Sequence, residues 1–572
     1  MEITKYGIFE TEFLHTASEN PFDIDFTVCV TEPNGSQKTV DGFYNGDNKF
    51  AFRFMPNTEG EYRYITKSSV SELDGHKGTF QCVKAENNRH GMVHVKNQYW
   101  FSYEDGTPYF DAGTTCYAWI HQEQEVLEQT LKTMAEGYFS KLRFCVFPKW
   151  YEHNHRQPKI YPFEGNTDIG FDYDKPNIAF FKHLDDCVAR LCELGIQADI
   201  ILFHPYETDE WQFNFMTEQQ DKRYLRYVIA RLSAYSNVWW SLANEYDLFR
   251  TGYKKKISAW KKLISFIRNK DPYGHLTSIH QYTKMYDHSD PNLTHCSIQR
   301  TELYLTAEYA DTWREKYKKP VVIDECVYEG DLNTNWGGIT GQELVRRFWE
   351  AAARGTYMGH GETFEGENIW WSHGGTLKGE SQKRIKFMRE IFENCPNIQF
   401  SCESGLNNLA RSVAGTDAQI VYFGYYQPKH YEMHMLSSAA YKVKIIDTWN
   451  MTVEELHEPV HTSVKLELPC KPYIAVLCTA VEQGKTEAFT RDSVFEQMRF
   501  TAGGQKLLKM FKKIVPQYYA GMLTLTVNQC SSGAGGILDG KAGDGILRIV
   551  NENQFWRGLF QIIAGVIKNS KK

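Results

Sequence analysis

No CxxC pair occurs among the thirteen cysteines, and the 572 residues carry no low-complexity tract and no surplus of basic charge. Each absence removes a class of function. Single cysteines, with Cys187 and Cys192 sharing one helical pattern, lack zinc-ribbon and dithiol spacing and fit a reducing compartment. Sixty-four Lys plus Arg against 71 Asp plus Glu leave a formal charge of −7, which argues against nucleic acid held on a basic surface. The late apolar stretch 555–567 is broken by Arg557 and Gln561 and falls short of the ~20 residues a membrane span needs. It reads as a packed helix, so no membrane partner is expected. The opening MEITKYGIFETEF has no basic stretch followed by an apolar one, and a cytoplasmic location is the expectation. A GxSxG elbow, a P-loop and a dinucleotide fingerprint are all missing, so no cofactor is expected. What is abundant is aromatic: 35 Phe, 34 Tyr and 14 Trp suit an aromatic-lined site for a neutral ligand.

The chain changes rhythm along its length. Residues 1–95 alternate short β-rich runs with turn signals such as Pro33-Asn34-Gly35, the pattern of a β-sandwich. From 96 to 395, eight short apolar runs alternate with amphipathic segments: Phe110 to Thr114, Leu142 to Phe147, Ala198 to Phe203, Val238 to Ala243, Leu276 to Ile279, Cys296 to Ile298, Val321 to Ile323 and Glu362 to Phe364. Phe181, Leu184, Val188, Leu191 and Leu194 recur at helical spacing. Eight such units over this length predict a (β/α)8 TIM barrel, the fifth lacking a full helix between Gln281 and Leu293. A second β-domain follows over 396–482. A mainly helical segment is expected over 483–572, with a basic amphipathic pattern from Ser493 to Val515 and a last helical pattern from Ile546. The fold class is therefore multi-domain α/β.

Barrel enzymes build their sites at the C-terminal ends of strands. The fourth run ends VWWSLANEYD, placing Asn244 and Glu245 at the mouth, and the seventh ends PVVIDECVYEGD, placing Asp324 and Glu325 there. Two carboxylates on opposite strands can face each other across a bond between sugars, one protonating the leaving oxygen and the other attacking the anomeric carbon. Asp324 and Glu329 compete for the second role. Strand alternation sends Asp324 to the face opposite Glu325, and Glu329 lies beyond the strand.

The strand-four Asn-Glu pair with a strand-seven Glu resembles the clan of retaining glycoside hydrolases that includes family 5. The β-rich start, the phrases KLRFCVFPKW, ILFHPYET and IDECVYEGD, and the second β-domain together resemble bacterial glycosidase-like proteins with a DUF5060 domain, a DUF4038-type barrel and a DUF5605 domain. The likeness covers about residues 1–480. It implies Glu245 as acid/base, Glu325 as nucleophile, Asn244 on the sugar 2-hydroxyl and Arg143 as the strand-two arginine that orients the nucleophile.

His204 and His280 close the third and fifth runs and are candidates for sugar hydroxyls, against a structural role satisfied by backbone carbonyls. Trp119, Trp370 and Trp371 are candidates for stacking on a pyranose, against a place in the core. Glu367 stands near the same mouth, where it recognises hydroxyls or only lines a loop. Glu152-His153-Asn154-His155 invites a metal reading, but the pair follows strand two, whereas a metal-dependent barrel hydrolase takes paired histidines from strand one. The expectation is a retaining, exo-acting glycosidase on short oligosaccharides or glycosides, with no metal. A non-catalytic carbohydrate-binding protein and a metal-dependent hydrolase are the rivals, and a homo-oligomer is left open.

Overall fold

The computed structural model describes residues 1–482 apart from 87, 207–209, 249–254, 303–304 and 404–408, together with Thr526–Asn528, Ile537–Ala542 and Gly545–Ile549. The chain divides into two units. One comprises residues 1–306, 312–347 and 357–389; the other comprises 307–311, 348–356 and 390–572.

The first unit opens with two sheets. One has five strands in the order Glu2–Thr4, Lys77–Val83, Gly60–Ser68, Phe26–Thr31, Gln37–Asp41; the other joins Phe9–Leu14, Lys49–Phe54 and Phe43–Tyr44. Alternation dictates the packing. Phe26, Val28 and Val30 of the larger sheet are buried with Phe9, Phe50, Phe52 and Phe54 of the smaller one, while the intervening Thr27, Cys29 and Thr31 are only partly buried. Phe9 stacks on Phe80 with ring centroids 4.1 Å apart, giving the shared core an aromatic centre.

An eight-stranded parallel sheet follows. Its strands, labelled β1–β8, are Ala112–Thr115, Lys141–Cys145, Gln197–Phe203, Val238–Ala243, Thr277–Ser278, Cys296–Gln299, Val321–Glu325 and Tyr357–His360. The ladder runs β5-β4-β3-β2-β1-β8-β7-β6. Between β5 and β6 the contact passes through Thr294, whose N–H donates to the Thr277 carbonyl at 2.9 Å. This is the TIM barrel that the rhythm predicts. The helix Ile178–Glu193 turns Phe181, Leu184, Val188 and Leu191 inward, and Asn177 caps it by accepting from the Ala179 N–H. Leu194, at its end, is exposed. No helix forms between Gln281 and Leu293, so β5 runs through a loop to β6.

One strand differs from the sequence reading. The eighth is Tyr357–His360, not Glu362 to Phe364; Glu362–Thr363 instead pairs with Glu329–Gly330 in a separate ribbon. The Tyr-Met-Gly-His run is only partly apolar, because Gly359 must lie against the Asp324 backbone, where a Cβ would come within 2.6 Å of its carbonyl oxygen.

The second unit contains a six-stranded sheet in the order Ser401–Cys402, Ala410–Ala414, Ala418–Tyr422, Ile474–Ala480, Tyr441–Asp447, Thr452–Glu455, with the ribbon His430–His434 and Ser463–Glu467. Val421, Met433, Val443, Leu466 and Val476 fill one core. Within 483–572 the three described strands form an antiparallel sheet, so Gly545–Ile549 is strand where the sequence suggests the start of a last helix. The pattern at 493–515 and the rest of the last helix lie outside the described residues. Among the described residues, no helix is long and apolar enough to cross a membrane.

Candidate active site

A charged floor lies inside the barrel. Lys141 and Arg143 are two residues apart on β2 and share its inner face. Gly113 on β1 leaves room for the lysine, since a Cβ there would sit 2.7 Å from Lys141 Cε. Lys141 Nζ lies 2.7 Å from Asp111, 3.4 Å from Asp324 and 3.8 Å from Asp199. Burial acts to lower the Lys141 pKa, but Asp111 and Asp324 prevail and raise it. Burial likewise acts to raise Asp324, yet Lys141 and Arg143 hold it well below the carboxylate range, while burial dominates at Asp199 and raises it.

Asp324 therefore points into the barrel, which corrects the expectation that alternation sends it to the face opposite Glu325. Its carboxylate also accepts from Ser297 of β6. The β6–β7 register pairs Ile298 with Ile323 but Gln299 with Glu325, so alternation is broken opposite Asp324. Glu329 is occupied elsewhere: its two carboxylate oxygens accept from the Glu380 and Ser381 N–H groups at 2.8 and 3.0 Å.

Above this floor stand Glu245 and Glu325, 8% and 7% exposed. Arg143 Nη1 lies 3.7 Å from Glu325 Oε1, and the same guanidinium reaches the Tyr117 hydroxyl at 3.4 Å and Asp199 at 3.5 Å. Tyr117 donates its O–H to Glu325, and Tyr206 donates its O–H to Glu245. Asn244 Nδ2 donates to the Tyr206 oxygen at 2.8 Å, while its buried Oδ1 meets no partner within the protein. Each carboxylate thus has its own phenol. Burial, followed by the charge of Glu325, pushes the Glu245 carboxyl up to about 7, against the opposing pull of Tyr206 and Lys149. Glu245 itself has φ +46°, a left-handed conformation that costs a non-glycine residue roughly 1–3 kcal/mol and is characteristic of functional sites.

The other candidates separate. His280 is fully buried, with Nδ1 4.0 Å from Glu325 Oε1 and neither ring nitrogen bonded within the protein; burial and then Arg143 hold it neutral. Trp371 stands beside Tyr117, Tyr151, Tyr328 and Trp336, with its Nε1 unbonded. His204 is turned from a sugar ligand into a scaffold. Its Nε2 bonds the Phe147 carbonyl at 3.0 Å and its Nδ1 accepts from the Tyr206 N–H at 3.4 Å.

Trp119 and Trp370 are core residues, which corrects their expected stacking role. Trp119 is buried on Phe144 and donates toward the Leu127 carbonyl; Trp370 lies near Phe139 and donates to Thr114 Oγ1 at 2.8 Å. Glu367 is exposed in its loop, where its backbone carbonyl accepts from Arg156. His153 packs on Trp336 and Trp371 whereas His155 packs on Trp150, so the two histidines are committed to different aromatic neighbours. Among the described residues, no group of three His, Cys, Asp or Glu could hold a metal ion.

Sequence reasoning misses Tyr117, Tyr206 and Lys149. A tyrosine beyond a strand end carries no motif of its own, and only the fold shows which carboxylate its hydroxyl meets.

Known proteins share the fold and its order of domains. The family model described as "Apiosidase-like, catalytic domain" matches residues 95–399, and two domains of unknown function, DUF5060 and DUF5605, match 2–69 and 410–479. The solved structure of a putative glycoside hydrolase from Bacteroides vulgatus is similar at 37% identity and a TM-score of 0.79, covering 84% of this chain and 100% of that one. A family 5 glycoside hydrolase from the same organism shares the fold at 15% identity and a TM-score of 0.53, over 71% of this chain and 98% of its own. No curated protein matches the chain.

Proposed function

This chain belongs to the apiosidase-like catalytic-domain family, and from that premise we propose that it is a retaining glycoside hydrolase working by double displacement. The observation that carries the reading is the unequal setting of two carboxyl groups at one barrel mouth. Glu325 lies beside Arg143, whereas Glu245 is raised by burial and by the charge of Glu325.

In the first step Glu325 attacks the anomeric carbon while Glu245 gives its proton to the departing oxygen. The bond from the anomeric carbon to that oxygen breaks as an ester to Glu325 forms. In the second step the Glu245 carboxylate takes a proton from water, whose oxygen displaces Glu325 from the anomeric carbon. Two inversions restore the starting configuration. The unpartnered Asn244 Oδ1 is suited to accept from the sugar 2-hydroxyl, a contact that tightens in the transition state. His280 and Trp371 offer a neutral polar edge and an aromatic face for the same sugar.

Short oligosaccharides or glycosides, attacked from one end in the cytoplasm, are the proposed substrates. The cysteines among the described residues are all unpaired, which suits a reducing compartment. The test is a panel of activated aryl glycosides, including apiosides, β-D-hexopyranosides and α-L-arabinosides, with the first-formed anomer read by NMR. Retained configuration is expected. An inverted first product excludes double displacement, sugar binding without turnover supports the lectin-like rival, and abolition by a chelator supports the metal-dependent one.

A further inference from the structure

Lys149 is a cation that the proposed double displacement does not use. It lies in the loop after β2 and is 2% exposed. Its ammonium stands over four rings: Tyr117 at 3.6 Å, Tyr206 at 4.0 Å, Tyr151 at 4.3 Å and Trp371 at 4.7 Å from the centroids. Its backbone is anchored as well. The Lys149 carbonyl accepts from Asn154 Nδ2 at 2.5 Å, and Asn154 Oδ1 meets His373 Nε2 at 3.0 Å.

The two rings closest to the ammonium belong to the tyrosines that hold the two carboxylates, Tyr117 on Glu325 and Tyr206 on Glu245. A cation against a phenol ring draws on its electron density, which fixes the ring face and strengthens the hydroxyl as a donor. Resting on the functional reading above, we propose that Lys149 is a positioning residue for both carboxyl groups, setting Tyr117 on Glu325 and Tyr206 on Glu245 and placing a fixed positive charge beside Glu245.

Among the described residues, the groups that face Lys149 include the phenols of Tyr117, Tyr151 and Tyr206, the Glu245 carboxyl, and the imidazoles of His153 and His280, whose protonation its charge opposes. Glu245 also faces Glu325, Tyr206, Tyr328 and the Gln299 amide. Of these, burial and Glu325 favour the protonated form of Glu245, while the Tyr206 bond and the Lys149 charge favour the ionised form. Loss of the charge therefore lets Glu245 keep its proton to higher pH.

The experiment follows kcat/KM against pH for the wild type, Lys149→Met, Lys149→Gln and Lys149→Arg, on an aryl glycoside that the wild type hydrolyses. The two neutral variants should move the basic limb upward by about one pH unit. The arginine variant, which keeps the charge, should leave the limb near its wild-type position. A basic limb that stays in place in folded neutral variants overturns the proposal. So does failure of both neutral variants to fold, since the lysine would then be structural. A wild-type chain that hydrolyses no glycoside removes the functional reading itself, an outcome distinct from an active enzyme whose limb does not move.

Discussion

Arg143 of β2 and Glu325 of β7 meet across the barrel, Nη1 to Oε1 at 3.7 Å, and the same guanidinium reaches down to Asp199. The pair joins the reacting end of the site to the buried charges beneath it. Arg143→Met should lower kcat/KM by about 100-fold or more, because Glu325 loses its cation, and should cost stability because Asp199 loses one too. Parallel kinetics and urea unfolding would show both effects; full activity would place Arg143 outside the mechanism.

Lys141 has three carboxylates within 3.8 Å and none of the proposed chemistry. Lys141→Met strands Asp111, Asp199 and Asp324 around an apolar side chain, at a cost of about 3–5 kcal/mol. The sign of the pH dependence follows. Burial already raises the Asp111 and Asp199 carboxyls and the lysine opposes it; without that charge both rise further above their unfolded values, so the variant should lose more stability than the wild type as pH increases from 5 to 8. Unfolding at the two pH values tests this, and a deficit independent of pH would contradict it.

Glu245 should trade stability for function. Its folded-state value near 7 exceeds the ~4.3 of an unfolded glutamate, so the stability tied to its proton is present at pH 4 and lost as pH rises through 7. Glu245→Gln should therefore be more stable than the wild type by about 1–3 kcal/mol at pH 8 and nearly equal to it at pH 4. Equal stability at both would mean that the carboxyl is not strained by burial. The same variant should lose the basic limb of the activity profile.

The three tryptophans should behave differently. Trp119 and Trp370 fill the core, so truncation to Ala should cost about 3–5 kcal/mol. Trp371→Ala should instead fall chiefly on KM, since its ring faces the aromatic group around the two carboxylates. Thermal unfolding and steady-state kinetics on all three separate the cases; a Trp371 variant with unchanged KM would remove it from the sugar site.

These contrasts show what a sequence can carry. The ends of β4 and β7 are legible because Val238–Ala243 and Val321–Ile323 are compact apolar runs, so Glu245 and Glu325 fall at a strand mouth by counting alone. Asp324 is misread because alternation assumes a regular ladder, and the shift at Ile298 breaks it. Trp370 and Trp371 are neighbours in a four-residue helix, and no periodicity tells which turns to the core. His204 carries the same residue type as His280, yet backbone partners decide that one ring is occupied and the other open. The phenols of Tyr117 and Tyr206 come from loops distant in sequence from the carboxylates they bind, so their roles emerge only once the barrel has closed.

Trapping the covalent intermediate tests the central claim most directly. In Glu245→Ala an activated aryl glycoside still loses its leaving group without protonation, but water attack lacks its base, so the glycosyl-enzyme should accumulate. Mass spectrometry of a peptic digest should find one sugar on the peptide containing Glu325. A sugar on any other peptide, or steady turnover to a product of inverted configuration with no adduct, would contradict the account.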